Sequence, residues 1–341
     1  MSRIPVLFSP DSTTAFPGAS SLDRVATALN LDVCAANETV QFANEPQIPL
    51  ISSLSGNTQY KRQHVNEDVR LMRMLMSGDY STLWLSSMER AFLSTAFVSK
   101  KVKRVGSFSF APSMIEVQLV FRGHLRHLDI AVATSAYQAD FLSHMMSPDR
   151  IRVIAPAIDT DIYKNIPSKR DANRILILDD PMIDFELLHA IKEQALGIWK
   201  TLDFVALAHP GRQGVYRQCD ITVLPVVSHS DVAKLIATAT AIVLPFQDAS
   251  APLGLLEALA AGSPTIVNAV GAVSEYANSD CAYVIADGHS LEHAVGSFIE
   301  ALEVAIDYQE DTAKVCVAAK ARARSEFSSQ KASDAYRNIL K

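Results

Sequence analysis

Short apolar runs rich in β-branched residues alternate with helical patterns along nearly the whole chain, and this alternation constrains the fold more than any other feature. In the first half, strands are expected at 4–9 (IPVLFS), 81–86, 103–110, 129–135 and 150–159, with helices at 20–30 and 136–146. The second half repeats the rhythm, with strands at 174–180, 202–209, 221–226, 241–246, 264–270 and 281–287. Helices are expected between them at 184–195, 228–240, 251–262 and 290–306. Strands that are apolar throughout belong to parallel sheets covered by helices on both faces. The polar stretch NIPSKRDAN (165–173) separates the two sets. The expectation is α/β, two doubly wound Rossmann-like domains facing a cleft, residues 1–166 and the part that follows. A length of 341 residues, 49% of them hydrophobic, suits two buried cores.

Composition narrows the function classes. The formal net charge of −6 argues against a dedicated nucleic-acid binder. Cys34, Cys219, Cys281 and Cys316 form no C-x-x-C pair and read as reduced core thiols of a cytoplasmic protein. MSRIPVLFSPDS meets proline and aspartate too early for a signal-peptide core, and no apolar stretch is long enough to span a bilayer. The sequence has no G-x-S-x-G elbow, P-loop lysine, H-E-x-x-H pair or G-x-G-x-x-G after the first strand.

Ligands of such sheets bind at the carboxyl ends of the strands, so the residues just after strands carry the chemistry. ASAPLGLLEALAAGSPTI (249–266) follows the run AIVLPF and contains one carboxylate, Glu257, in an otherwise apolar helix. Ser250, Ala251, Pro252 and Leu253 lead into that helix. Unpaired backbone N–H groups and the helix dipole at such a start suit an anion, and a diphosphate would fit. Glu257, one to two turns inside, is placed to accept hydrogen bonds from two ribose hydroxyls; the alternative is an exposed glutamate with no role. Arg212 in AHPGRQG is either a phosphate contact or a solvated loop arginine. Arg122, His124 and Arg126 in FRGHLRHLD are either acceptor-side groups or a solvated face. SKKVKRVG (99–106) is either a contact for an anionic lipid surface or a basic turn.

Residues 242–277 resemble the donor-binding segment of the retaining GT-B glycosyltransferases of family 4. Glu257, Ala258, Gly262, Pro264, Gly271 and Glu275 fall on that family's pattern in register. Residues 128–163 are similar to the segment that closes its N-terminal domain, FPGASSLDRVATALN (16–30) to its glycine loop and first helix, and 323–340 to its closing helix. The resemblance implies a GT-B fold: an acceptor-side domain (1–166), a nucleotide-sugar domain (167–318), and a C-terminal helix (319–341) crossing back to the first. It implies Gly18 and Glu275 as further donor-side residues. The implied reaction is transfer of a sugar from a nucleoside-diphosphate sugar, with retention, to a glycan, lipid-linked sugar or protein acceptor. No cofactor and no metal are implied.

The pattern also departs from the family. The first motif glutamate is Ala249, with Asp248 beside it as the replacement catalytic carboxylate; the usual basic pair after the first strand of the second half is Asp179 and Asp180; SFSFAPSM (107–114) lacks the usual histidine. These departures keep a second reading open, a catalytically degenerate nucleotide-binding or scaffold partner of an active glycosyltransferase. Peripheral contact with the inner face of a membrane is also left open.

Overall fold

The computed structural model describes residues 4–9, 25–26, 28–29, 31–35, 68–69, 71–73, 76, 80–90, 95, 98–119, 122–166, 170–224, 228–288, 290–307 and 310–340. The chain forms two compact units: one holds the described residues from 4 to 156 together with 332–340, the other those from 157 to 331.

The first unit is built on six parallel strands, β1 (Ile4–Ser9), β2 (Asp32–Ala35), β3 (Tyr80–Leu85), β4 (Lys103–Ser107), β5 (Ile130–Ala133) and β6 (Ile151–Val153). Their order is β2-β1-β3-β4-β5-β6. Leu83, Leu85, Phe108, Ile115, Ala131 and Leu142 are among its core residues. Helix α1 (Pro112–Gln118) follows β4 and α2 (Ala136–Ser143) follows β5. Ser135 starts α2 by accepting the Gln138 N–H at 3.1 Å.

The second unit has six parallel strands, β7 (Asp171–Leu178), β8 (Asp203–Leu207), β9 (Thr222–Val223), β10 (Ala239–Leu244), β11 (Thr265–Asn268) and β12 (Tyr283–Ile285). The order is β12-β11-β10-β7-β8-β9. Every residue of β10 and β11 is buried, as a central parallel strand covered on both faces requires. The helices are α3 (Phe185–Ile198), α4 (Gln213–Gln218), α5 (His229–Thr238), α6 (Leu253–Ala261), α7 (Val273–Tyr276), α8 (Leu291–Asp307), α9 (Glu310–Glu326) and α10 (Ser329–Leu340). Asp184 caps α3 through the Leu187 N–H at 3.0 Å. Gly262 ends α6 in the left-handed region at φ +66°, where alanine would be strained.

Both units are doubly wound α/β, as the alternation predicts. Two boundaries differ from expectation. The chain enters the second unit at Ala157, before 166/167, because the Ile158 N–H already donates to Phe327 O at 2.7 Å. The closing helix is two helices, broken where buried Phe327 and Ser328 bridge to Ile158. Residues 332–340 pack in the first unit, with the Tyr336 ring 4.3 Å from Trp84 and the Thr82 hydroxyl donating to Leu340 O at 3.1 Å.

Candidate functional site

In the second unit the strand order reverses between β7 and β10, so the loops after these two strands flank the position where open α/β sheets bind ligands. The loops are joined. The Asp184 N–H donates to Pro245 O at 2.8 Å and the Gln247 N–H to Met182 O at 2.8 Å. Asn268, at the end of β11, holds Phe246 through both its amide groups at 2.7 Å.

The loop from Asp248 to Pro252 carries the chain into α6. It is braced by the segment after β11: the Ala272 N–H donates to Ala249 O at 2.7 Å, and the Tyr276 hydroxyl to Ser250 O at 2.9 Å. Gly271 lies there at φ +53°, and a Cβ on it would sit 2.7 Å from both Ala249 N and Asp248 Oδ1. Gly254 is needed for a second close approach, since a Cβ there would lie 2.9 Å from Leu178 Cβ at the end of β7. The start of α6 is thus seated against the switch point. Its N-cap is Pro252, which has no capping side chain.

Asp248, Ser250 and Glu257 are all buried on this loop and helix; Ala251 and Leu253 are half-buried. Asp248 Oδ1 accepts the Ala249 N–H at 2.8 Å. Glu257 is completely buried, and its carboxylate accepts the hydroxyl of Tyr163, which is also buried. Burial and the neighbouring Glu257 charge hold the Tyr163 phenol well above the ordinary tyrosine range. Glu275 is exposed on α7, and its carbonyl accepts from Arg322 at 2.9 Å.

The acidic pair after β7 has a different environment from the phosphate site that the sequence pattern suggests. Asp179 is buried and receives Arg212 Nε at 2.9 Å, the Tyr216 hydroxyl at 2.7 Å and the His209 N–H at 3.1 Å. Arg212 also donates to Asp180 O at 2.8 Å. Arg212 therefore spends two of its donors on the end of β7. Burial pushes the Asp180 carboxyl up to about 6 and the Asp179 charge adds to the rise, against the Met182 N–H bond and the Arg212 charge.

A raised carboxylate makes the folded state hold a proton that the unfolded chain has lost. Stability contributed by the protonated form is complete below about 3.8 and falls as pH rises towards about 6. Asp180→Asn keeps the acceptor for Met182 and removes the charge of this half-buried group. It is expected to stabilise the protein by about 2 kcal/mol at pH 7.5 and to have little effect at pH 4, read from urea unfolding at the two pH values.

The remaining expected site residues do not join this cluster. Gly18 lies outside the described residues. Arg122, His124 and Arg126 belong to the first unit, on or beside the 3-10 turn Gly123–His127 that precedes β5. Preceding a strand, they stand at the amino edge of the sheet, whereas ligands of such sheets enter at the carboxyl edge. His124 is buried while both arginines are exposed. The acceptor-side expectation for the three is therefore not carried forward. Tyr163 and Tyr216 do not stand out from sequence as site builders, and the one signal for Tyr163 is its place at the end of 128–163; Gly271, which falls on the family pattern, is where the structure brings the segment after β11 against the 248–252 loop. Among the described residues, no group of three or more His, Cys, Asp or Glu side chains is placed to hold a metal ion. Among them too, no helix is long and apolar enough to cross a membrane.

The fold is that of the GT-B glycosyltransferases. A glycosyltransferase from Rickettsia africae superposes with a TM-score of 0.68 at 14% identity, covering 100% of this chain and 98% of its own. Anabaena HepE, solved in complex with UDP and glucose, gives 0.71 at 15% identity over 99% of each chain. A UDP-forming α,α-trehalose-phosphate synthase from Burkholderia vietnamiensis gives 0.70 at 11% identity, covering 100% of this chain and 97% of its own. In sequence, residues 216–315 match the family described as Glycosyl transferases group 1, a span that contains α6, Glu257 and Gly271. No curated protein sequence matches the chain. The family match and the fold together support a GT-B glycosyltransferase.

Proposed function

We propose that the protein is a glycosyltransferase that binds a nucleoside-diphosphate sugar at the α6 edge of its second unit and transfers the sugar with retention of configuration. The observation that carries this is the start of α6, which lies at the switch point without a capping side chain and has a buried carboxylate one turn inside. The N–H groups of Leu253 and Gly254, with Ser250 and Ala251 before them, would face the diphosphate and stabilise the charge of the leaving nucleotide. Glu257 would accept the ribose hydroxyls. Asp248 is the carboxylate next to Ala249, where the sugar would lie; Arg212 and Glu275 border the site. The helix terminus supplies the electrostatics without a metal or other cofactor. The acceptor would be a glycan, a lipid-linked sugar or a protein, met in the cytoplasm or at a membrane face.

A second reading is favoured by one observation. Ala249 offers no side-chain carboxylate to the sugar, and the adjacent Asp248 is buried with Oδ1 turned to the Ala249 N–H. A chain with these features would keep nucleotide binding and serve as the partner of an active transferase.

Calorimetric titration with UDP, GDP, ADP and dTDP tests the donor site. One nucleotide is expected to bind, and Glu257→Ala to weaken it by at least tenfold, since a hydrogen bond to a charged group contributes about 1.5–3 kcal/mol. Binding that survives Glu257→Ala unchanged would move the nucleotide away from α6. Binding without transfer or hydrolysis from any donor sugar would favour the partner reading.

A further inference from the structure

In the free protein Glu257 already carries a hydroxyl. Its carboxylate is fully buried and accepts the O–H of Tyr163, which is 4% exposed. Tyr163 ends the 3-10 turn Thr160–Tyr163, shortly after the chain enters the second unit. The turn is held in place, with Asp159 accepting the Asp161 N–H at 3.0 Å and Ile158 bonded to Phe327. An ionised carboxylate in such a position is strongly disfavoured unless donors reach it. The phenol supplies a charge-assisted hydrogen bond of the kind that a ribose hydroxyl would supply. While the phenol is there, a fully covered carboxylate is closed to a ligand.

We propose that Tyr163 gates nucleoside recognition: its hydroxyl stands in for a ribose hydroxyl on Glu257 and is displaced when a nucleoside diphosphate binds. The proposal rests on the donor-site reading above. The exchange replaces the phenol O–H on Glu257 with the O–H groups of the ligand. It also gives selectivity. A free pyrophosphate or sugar phosphate can reach the start of α6, but has no ribose with which to displace the phenol.

Tyr163→Phe keeps the ring and removes the donor. The nucleotide that binds the wild type is expected to bind this variant about tenfold more tightly, because the ligand then supplies a hydrogen bond that the free protein lacks. For the 2′-deoxy analogue, with one hydroxyl fewer, the gain is smaller, a contrast that a purely structural role for Tyr163 would not produce. A second measurement serves if the variant folds poorly. With 3-fluorotyrosine at position 163 alone, the ¹⁹F resonance is expected to shift on saturation with the nucleotide and to stay in place with inorganic pyrophosphate. If a folded Tyr163→Phe variant binds the ribonucleotide equally or less well, or if the ¹⁹F signal does not move at saturation, the gate is wrong while the donor site stands. If neither the wild type nor Tyr163→Phe binds any nucleotide, the donor-site reading fails and the gate fails with it.

Discussion

Gly271→Ala is expected to destabilise the protein by about 3 kcal/mol and to weaken nucleotide binding at least tenfold. Two costs add at this position. The backbone is left-handed at φ +53°, which costs an alanine about 1 kcal/mol. The new methyl group would also stand 2.7 Å from Ala249 N and Asp248 Oδ1, and the first of these is backbone. A backbone cannot rotate away as a long side chain can, so the 248–252 loop has to shift, at about 1–3 kcal/mol. The same loop is tied to the segment after β11 through Ala272 N–H and the Tyr276 hydroxyl, so the displacement is passed directly to the start of α6. Gly288 provides the control. It has φ +85°, but a Cβ added there would meet nothing within 4 Å, so Gly288→Ala should show only the left-handed cost. Urea unfolding of the two variants, with nucleotide titration of each, separates strain from collision. Equal losses in the two would mean that the contact with Ala249 does not matter.

The doubly wound architecture could be read from sequence because its strands are apolar on both faces and long helices separate them. β10 and β11, buried at every position, gave the clearest runs. The misses have physical causes. β2 (Asp32–Ala35) is a four-residue strand beginning with aspartate, and α4 and α7 are too short for a helical period to show. The break at Phe327 coincides with a tertiary bond to Ile158, some 170 residues earlier in the chain, while the one local mark is Ser328, which accepts the Lys331 N–H at 3.4 Å at the start of α10. The loop and helix of the candidate site were legible because glycine, proline and a lone carboxylate mark them. What surrounds them was not. The hydroxyl that Glu257 accepts comes from Tyr163, 94 residues away, and whether Arg212 is free for a phosphate depends on Asp179, 33 residues away. Partner choice of that kind is set by the sheet order, which brings the ends of β7, β8 and β10 together.

The Asp179 cluster makes the second large prediction. Asp179→Ala is expected to destabilise the protein by about 3 kcal/mol. The carboxylate collects three donors, and its removal leaves the fully buried Tyr216 hydroxyl and the His209 N–H without the acceptor that they share. Removing one partner of a buried ion pair costs about 3–5 kcal/mol, and the lower end applies because Arg212 retains 29% side-chain exposure and can recover water. Asp179→Asn separates charge from geometry. Its amide oxygen can still accept from Arg212 and Tyr216, which share one oxygen of Asp179, while the amide nitrogen meets the His209 N–H donor to donor. About half the loss should therefore return. In the double variant Asp179→Ala/Arg212→Leu the loss should be smaller than the sum of the single losses by about 1 kcal/mol or more, as for residues in one network. Additive losses, or a cost below about 1 kcal/mol for Asp179→Ala, would show that the pair is incidental. Arg212 would then be available to a diphosphate, and the acidic pair after β7 would again stand unneutralised at the edge where the nucleotide is proposed to bind.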